Sequence, residues 1–262
     1  VLQFCLLGSG SSGNALLVLS EKSKILIDNG LSFKQLELRA RAIDQSLDDL
    51  EAVFVTHEHG DHVKGLGVLC RKRPVPVFMT EMTKELLPKS LGKLPQVVTF
   101  EAGETVVWSD MQLQSFSVSH DAGDPVSYVV RSQGTQLGLA TDLGHLSGLV
   151  RTRLSGSNAL IVESNYCPER LLRGVYPPQI QQRIRGRLGH LSNQDMCSLI
   201  SELQHDSLEL VVLVHISENN NHPELVTKMA RQAILNPDVG LFLAEQDAPT
   251  PMFQIQGSMV GN

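Results

Sequence analysis

Residues 56–62 read Thr-His-Glu-His-Gly-Asp-His and follow the short apolar run Ala52-Val53-Phe54-Val55. The run has the character of a buried strand. A strand that empties into three imidazoles and a carboxylate constrains the fold strongly, because that donor set suits a divalent metal with nitrogen and oxygen ligands. A lone histidine would carry little weight, since a half-buried ring with satisfied nitrogens is ordinary. No single regular element points all four groups at one ion. A tight loop is expected to split them between two ions, His57 with His59 and Asp61 with His62. Four ligands do not complete two sites, so others must arrive from elsewhere in the chain.

The same placement recurs. The alternating strand Met111–Val118 leads into Ser119-His120-Asp121-Ala122, Leu137–Ala140 into Thr141-Asp142, and Leu208–Val214 into His215-Ile216-Ser217. If these strands share a sheet edge with 52–55, their ends converge on one site. Lys24–Ile27 ends in Asp28, which either caps the next turn or orients a histidine or a metal ligand. Near the start, Leu2–Leu7 and Ala15–Leu19 flank Gly8-Ser9-Gly10-Ser11-Ser12-Gly13-Asn14. That loop is either a plain turn or a cradle that turns amides and hydroxyls toward an anion. It is neither a dinucleotide fingerprint nor a phosphate loop ending in Gly-Lys-Ser/Thr.

Helical stripes lie between the strands. Phe33, Leu36, Ala40 and Ile43 form one; Val63, Leu66, Val68 and Leu69 suggest a helix whose first turn carries His62. Pro168–Arg173 and Pro177–Arg185 are rich in Arg, Leu and Gln, and Arg183, Arg185 and Arg187 make a small basic cluster, most simply a solvated face. Ser192 caps a helix with Met196, Leu199, Ile200 and Leu203 inward. A last helix opens at His222-Pro223, with Leu225, Met229, Ala233 and Ile234 expected inward. No linker stands out, and the order of strands and helices fits one domain, residues 1–262, with helices outside two sheets.

Composition narrows the function. At 262 residues and 42% hydrophobic content the chain buries a large core and is not disordered. A net charge of −6 excludes a wholly electrostatic nucleic-acid binder, although a local basic face remains open. Cysteines 5, 70, 167 and 197 are dispersed, which favours a reducing compartment. Val1–Leu7 is short and lacks the basic lead of a signal peptide, and no stretch is long and apolar enough to span a membrane. The expectation is a cytoplasmic protein that does not engage a membrane; its oligomeric state is open.

These motifs resemble the metallo-beta-lactamase superfamily, and within it the WalJ/YycJ branch of bacterial 5′-to-3′ DNA exonucleases. The likeness rests on the Gly8–Asn14 loop, the His57–His62 motif, Ser119-His120-Asp121-Ala122, Thr141-Asp142, Gly189-His190-Leu191-Ser192-Asn193 and His215-Ile216-Ser217-Glu218-Asn219-Asn220. It implies an αββα four-layer sandwich, two mixed sheets with outer helices. It also implies two divalent ions, zinc or manganese with iron also compatible. His57, His59 and His120 would hold the first, Asp61, His62 and His215 the second, with Asp142 bridging. Asp28 resembles a supporting aspartate, and Asp28 and Glu58 are candidates to hold histidine rings. His190 resembles a histidine beside the scissile phosphate, where it binds a non-bridging oxygen or protonates the leaving group. The chain departs from the branch at Tyr166-Cys167, where His-Asp is expected.

Two nearby ions suit phosphodiester hydrolysis, with a water between them as nucleophile and Asp61 and His190 as the catalytic candidates. Ser9, Ser11, Ser12, Asn14 and Asn219 are candidates to bind the substrate phosphate, and Arg183, Arg185 and Arg187 to guide the strand. The preferred expectation is a DNA exonuclease with a part in DNA repair. An RNA-processing nuclease shares the chemistry. A small-ester or thioester hydrolase of the glyoxalase or lactamase kind shares the ion pair but has no evident need for the Gly-His-Leu-Ser-Asn box. A non-catalytic binding protein would not need a full ligand set.

Overall fold

The computed structural model describes residues 1–257; residues 258–262, included in the expected domain, lie outside the described residues. Two sheets of seven strands form the centre. The strands are β1 (Leu2–Gly8), β2 (Ala15–Leu19), β3 (Lys24–Ile27), β4 (Ala52–Phe54), β5 (Val77–Thr80), β6 (Val97–Phe100), β7 (Thr105–Trp108), β8 (Met111–Ser117), β9 (Val126–Ser132), β10 (Thr135–Ala140), β11 (Ala159–Glu163), β12 (Leu210–Val214), β13 (Gly240–Leu243) and β14 (Phe253–Ile255). The helices are α1 (Phe33–Arg41), α2 (Gly60–Val63), α3 (Leu66–Lys72), α4 (Glu81–Leu86), α5 (Gly148–Leu154), α6 (Pro168–Arg173), α7 (Pro178–Arg185), α8 (Asn193–Leu203) and α9 (Pro223–Ala233). The first sheet runs β14-β1-β2-β3-β4-β5-β6 and the second β13-β12-β11-β10-β9-β8-β7.

Side-chain alternation builds the layers. In β4, Ala52 and Phe54 face the second sheet, whereas Val53, and Val55 just past the strand, pack with Leu36, Leu66 and Leu69 under the outer helices. In β12, Val212 and Val214 join the inter-sheet core, while Val211 and Leu213 meet Met196, Leu199 and Ala230 of α8 and α9. Strands buried on both faces read as continuous apolar runs, as these do. Three apolar layers separated by two sheets make the expected four-layer sandwich.

Two local expectations shift. The helix after the histidine motif is broken into α2 and α3 at Lys64-Gly65, where Gly65 packs against the backbone of Leu31 too closely for a side chain. Along α9 and its C-cap, Ala233 and Ile234 are buried as expected, but Val226 and Ala230 are fully buried where Leu225 and Met229 are only half-buried, so the first turns are rotated by one residue. Tight docking against α8 favours the smaller side chains at the seam.

The convergence of strand ends involves both sheets rather than one edge. In the first, β3 and β4 are parallel, so Asp28 and the 56–62 loop leave at the same end. In the second, β10, β11 and β12 are parallel, and β8 is antiparallel to β9, which is antiparallel to β10. Their C-terminal ends therefore deliver His120, Asp142, Glu163 and His215 to one end. The two sheets are tied there by Tyr128 Oη donating to Val55 O (2.7 Å) and Val126 N–H donating to Thr56 O (3.0 Å).

Candidate metal centre

Three turns that carry site residues use left-handed backbone. Asp28, Asp142 and His215 have φ of 61°, 53° and 54°, each at the first residues after a strand. Such conformations cost roughly 1 kcal/mol or more for residues with a Cβ and persist where surroundings fix them. At His215 the backbone N–H donates to Ser9 Oγ at 2.9 Å, and at Asp28 the N–H donates to Phe54 O at 2.8 Å. Close backbone packing holds the opposite wall. Asn14 N–H donates to Asp61 O (2.7 Å) and Gly30 N–H to Asn14 O (2.8 Å). A Cβ on Gly30 would overlap the Asp61 carbonyl, so glycine is required there.

The imidazoles are oriented from behind. His62 Nδ1–H donates to Asp28 Oδ2 at 2.8 Å. Asp28 also accepts from Thr56 N–H and Thr56 Oγ1–H, both at 2.8 Å. With its proton given to Asp28, Thr56 Oγ1 accepts from His57 Nδ1–H at 3.0 Å. One carboxylate thus sets two rings, one directly and one through a hydroxyl. His120 Nδ1–H donates to Gly189 O at 3.1 Å, and His215 Nδ1–H to Glu163 Oε1 at 2.9 Å. Four rings therefore turn Nε2 toward a common space. His59 differs: its Nε2 lies 3.2 Å from Asp121 O, and its Nδ1 faces His120 Nε2 at 3.3 Å.

Two donor groups result. His57, His59 and His120 bring ligand atoms within 4.8 Å of one another, as do His57, His62 and Asp142. Asp61 Oδ2 lies 3.7 Å from His62 Nε2 and 3.8 Å from His215 Nε2, and Asp142 Oδ2 lies 3.2 Å from His62 Nε2. His57 Nε2 and His215 Nε2 are buried without a hydrogen-bond partner, and Asp142 Oδ2 has His62 Nε2 beside it at 3.2 Å. Orphaned polar atoms at such depth are costly, and a cation at their convergence removes the cost. The residues present therefore fit metal binding. A further group, Asp142, Glu163, His190 and His215, also falls within 4.8 Å. There Glu163 lies at hydrogen-bond distance from both rings, which identifies a carboxylate bridging two imidazoles instead of an ion site.

Charges reinforce this reading. Burial, followed by the neighbouring His62, holds His57 well below its usual value, which keeps its ring neutral. Burial pushes Asp142 up, but His215 and His62 more than offset it and keep it well below the carboxylate range. Burial lowers His62, yet Asp142 and Asp28 raise it well above normal. His215 is raised to about 9, burial being outweighed by Asp142 and Glu163. Without ions, protons on His62 and His215 balance the buried carboxylates; divalent ions take over that role only by displacing protons.

Glu163 was absent from the sequence-derived site. It is fully buried, accepts from His190 Nδ1–H at 2.7 Å as well as from His215, and its Oε2 accepts from Leu143 N–H at 3.1 Å. Its position at the end of β11 is the signal that also marks Asp28 and Asp142. Thr56 was likewise missed. Glu58, expected beside a histidine ring, instead accepts from Gly123 N–H at 2.8 Å and pins the loop carrying Asp121.

A polar cavity of about 290 Å³ opens beside the centre, with Ser11, Ser12, His190, His215 and Asn219 in its wall. Ser9 is buried behind it on His215 N–H, and Asn14 Nδ2 points at His62 Nε2 (3.0 Å). Arg183 Nε bonds Asp121 Oδ2 at 2.6 Å; Arg185 and Arg187 are exposed. Tyr166 and Cys167 are buried, and Tyr166 O accepts from Asn193 N–H at 2.9 Å, so this pair packs behind the His190 segment. All four cysteines are free. No helix among the described residues is long and apolar enough to cross a membrane.

A family model described as a beta-lactamase superfamily domain matches residues 23–216. The chain is 36% identical over 242 residues to "Exodeoxyribonuclease YycJ" of Bacillus anthracis, covering 92% of each chain. It is 33% identical over 263 residues to "Exodeoxyribonuclease WalJ" of Streptococcus pneumoniae, covering 97% of this chain and 98% of that one. The metallo-beta-lactamase fold protein YhfI of Bacillus subtilis superposes with a TM-score of 0.71 at 13% identity, over 95% of this chain and 99% of that one, which is a likeness of fold.

Proposed function

The chain belongs to the beta-lactamase superfamily, with the exodeoxyribonucleases YycJ and WalJ as near-full-length relatives, and from this we propose that it is a 5′-to-3′ exodeoxyribonuclease working with two divalent ions. It is a metal-dependent hydrolase in class. The observation that carries the finer reading is kinship with two exodeoxyribonucleases in a chain whose buried orphan atoms meet beside an open polar cavity. The imidazole-rich donor set favours zinc, with manganese as its rival.

His57, His59 and His120 would hold one ion, and Asp61, His62 and His215 a second, with Asp142 available to both; when bound, such ions would supply an activated water and offset charge on the phosphoryl oxygens. The chain's own residues do the rest. Asp28 and Thr56 fix the rings of His57 and His62. Glu163 holds His190 through Nδ1, leaving Nε2 to serve the leaving oxygen at the cavity wall. Ser11, Ser12 and Asn219 offer hydrogen bonds to the substrate phosphate there. Resection of one DNA strand is the chemistry such an enzyme would bring to repair.

The test is metal-dependent digestion of end-labelled single- and double-stranded DNA and RNA, with and without a 5′-phosphate. DNA is expected to shorten from its 5′ end, and His57→Ala and Asp142→Ala are expected to lose both bound metal and digestion. Digestion of RNA alone, of no substrate, or unchanged digestion by the two variants overturns the proposal.

A further inference from the structure

Residues 168–188 are poorly explained by the core. Helix α7 buries no residue and α6 buries only Leu171. Leu172, Val175, Ile180 and Leu188 are exposed, Val175 to 87%. The segment also reverses the charge of the chain. It holds five arginines and one carboxylate, Glu169, whereas the whole chain carries 22 basic and 28 acidic side chains. Arg170, Arg173, Arg183, Arg185 and Arg187 are all exposed.

The segment is nevertheless anchored on both sides of the metal centre. Asn219 Nδ2, in the loop after β12, donates to Tyr176 Oη at 3.0 Å. Arg183 bonds Asp121 in the loop after β8, and His190 N–H donates to Ile184 O at 2.8 Å. Tyr176 lines the 290 Å³ cavity and also a neighbouring cavity of about 240 Å³, with Ile184 and His190 common to both walls. An aromatic ring thus lines two clefts that share His190, and guanidinium groups lie along the same short segment.

We propose that residues 168–188 form an arm that grips single-stranded DNA, with the Tyr176 ring stacking on a base at the cleft and Arg185 and Arg187 meeting backbone phosphates outside it. This rests on the nuclease reading above. The occupant follows from complementarity: an exposed basic segment on an acidic chain attracts a polyanion, and the mixture of aromatic, aliphatic and guanidinium groups suits unpaired bases joined by phosphates.

The test uses the metal-loaded full chain and a dye-labelled single-stranded phosphorothioate deoxyoligonucleotide, chosen to resist hydrolysis, with fluorescence anisotropy read across a salt series. Tyr176→Ala is expected to weaken binding about tenfold, and Tyr176→Phe, which keeps the ring, to stay within about twofold of wild type. The double variant Arg185→Ala/Arg187→Ala removes two exposed charges and is expected to lower the slope of log affinity against log salt by about 1.4. Wild-type affinity and salt slope in these variants overturn the proposal. So does equal damage from Tyr176→Phe and Tyr176→Ala, which would assign the effect to the Asn219 bond. A change in sedimentation coefficient without a change in binding makes the arm a contact between copies and also overturns it. Digestion of unmodified DNA separates the two readings. Arm-dependent binding by a wild-type protein that hydrolyses no phosphodiester supports the arm and removes the nuclease. Digestion by wild type and arm variants alike, with equal binding, removes the arm alone.

Discussion

Replacing Asp28 by Asn tests whether one carboxylate sets the proton positions in both proposed donor groups. Asn suits the left-handed φ of 61° as well as Asp does, so the turn survives. The carboxylate accepts three hydrogen bonds at 2.8 Å, from Thr56 N–H, Thr56 Oγ1–H and His62 Nδ1–H. An amide has one oxygen. If that oxygen keeps Thr56 N–H, the NH₂ group faces the threonine hydroxyl and His62 Nδ1. The His62 proton then moves to Nε2, the atom needed by the metal. Thr56 Oγ1–H, having lost its acceptor, turns to His57 Nδ1 and displaces that proton toward Nε2 as well. The reverse amide orientation sets NH₂ against the Thr56 N–H. The first arrangement puts protons on the atoms meant to ligate and the second leaves a donor facing a donor, either costing about 1–3 kcal/mol in a buried site. That corresponds to a loss of metal affinity of roughly 10- to 100-fold, the usual scale for a group that orients a ligand. Competition titration against a chromogenic chelator measures it, with far-UV circular dichroism as the check on folding. Two ions bound with wild-type affinity by folded Asp28→Asn protein would refute the relay.

Other outcomes follow from the same geometry. Glu163→Gln keeps an oxygen for the His190 and His215 rings, which both bond Oε1, but sets its NH₂ against the Leu143 and Leu191 N–H groups that bond Oε2 and removes the charge that holds the two rings, so kcat on DNA should fall about 10- to 100-fold with little change in secondary structure; unchanged kcat would deny Glu163 a positioning role. His215, raised to about 9 in the fold from an ordinary 6.5, stabilises the metal-free protein below about pH 6.5 and loses that contribution as pH rises through 9, a difference on the order of 3 kcal/mol. Metal binding requires the unprotonated ring, so the melting-temperature gap between metal-loaded and chelated protein should widen over that window. A constant gap would contradict the assignment. Tyr128→Phe removes the inter-sheet bond to Val55 O and should destabilise the protein by about 1–3 kcal/mol in urea unfolding, while leaving metal stoichiometry intact.

The sequence by itself determined the donor chemistry. His57, His59, Asp61 and His62 are fixed by local spacing, and a strand end is a local feature, so His120, Asp142 and His215 were also legible. Buried strands declared themselves by continuous apolar runs, whereas which residues of β4 and β12 face the other sheet and which face the helices emerged only in the fold. Local spacing says nothing of which strand ends meet. That was decided by parallel pairing within two separate sheets and by the Tyr128 and Val126 bonds that hold their ends together. Glu163 was overlooked although it sits at a strand end, because its role depends on two rings that arrive 27 and 52 residues later. Glu58 was placed by adjacency, yet a side chain next to a ligand in sequence points away from it when the loop turns, and it found Gly123 instead. Thr56 is similar: a hydroxyl beside a histidine becomes a relay only when Asp28 is brought against it. Ligand identity is a property of covalent neighbours, whereas ring orientation, protonation and the orphaned atoms that invite an ion depend on burial and on charges far apart in the chain, and those exist only once the two sheets have closed.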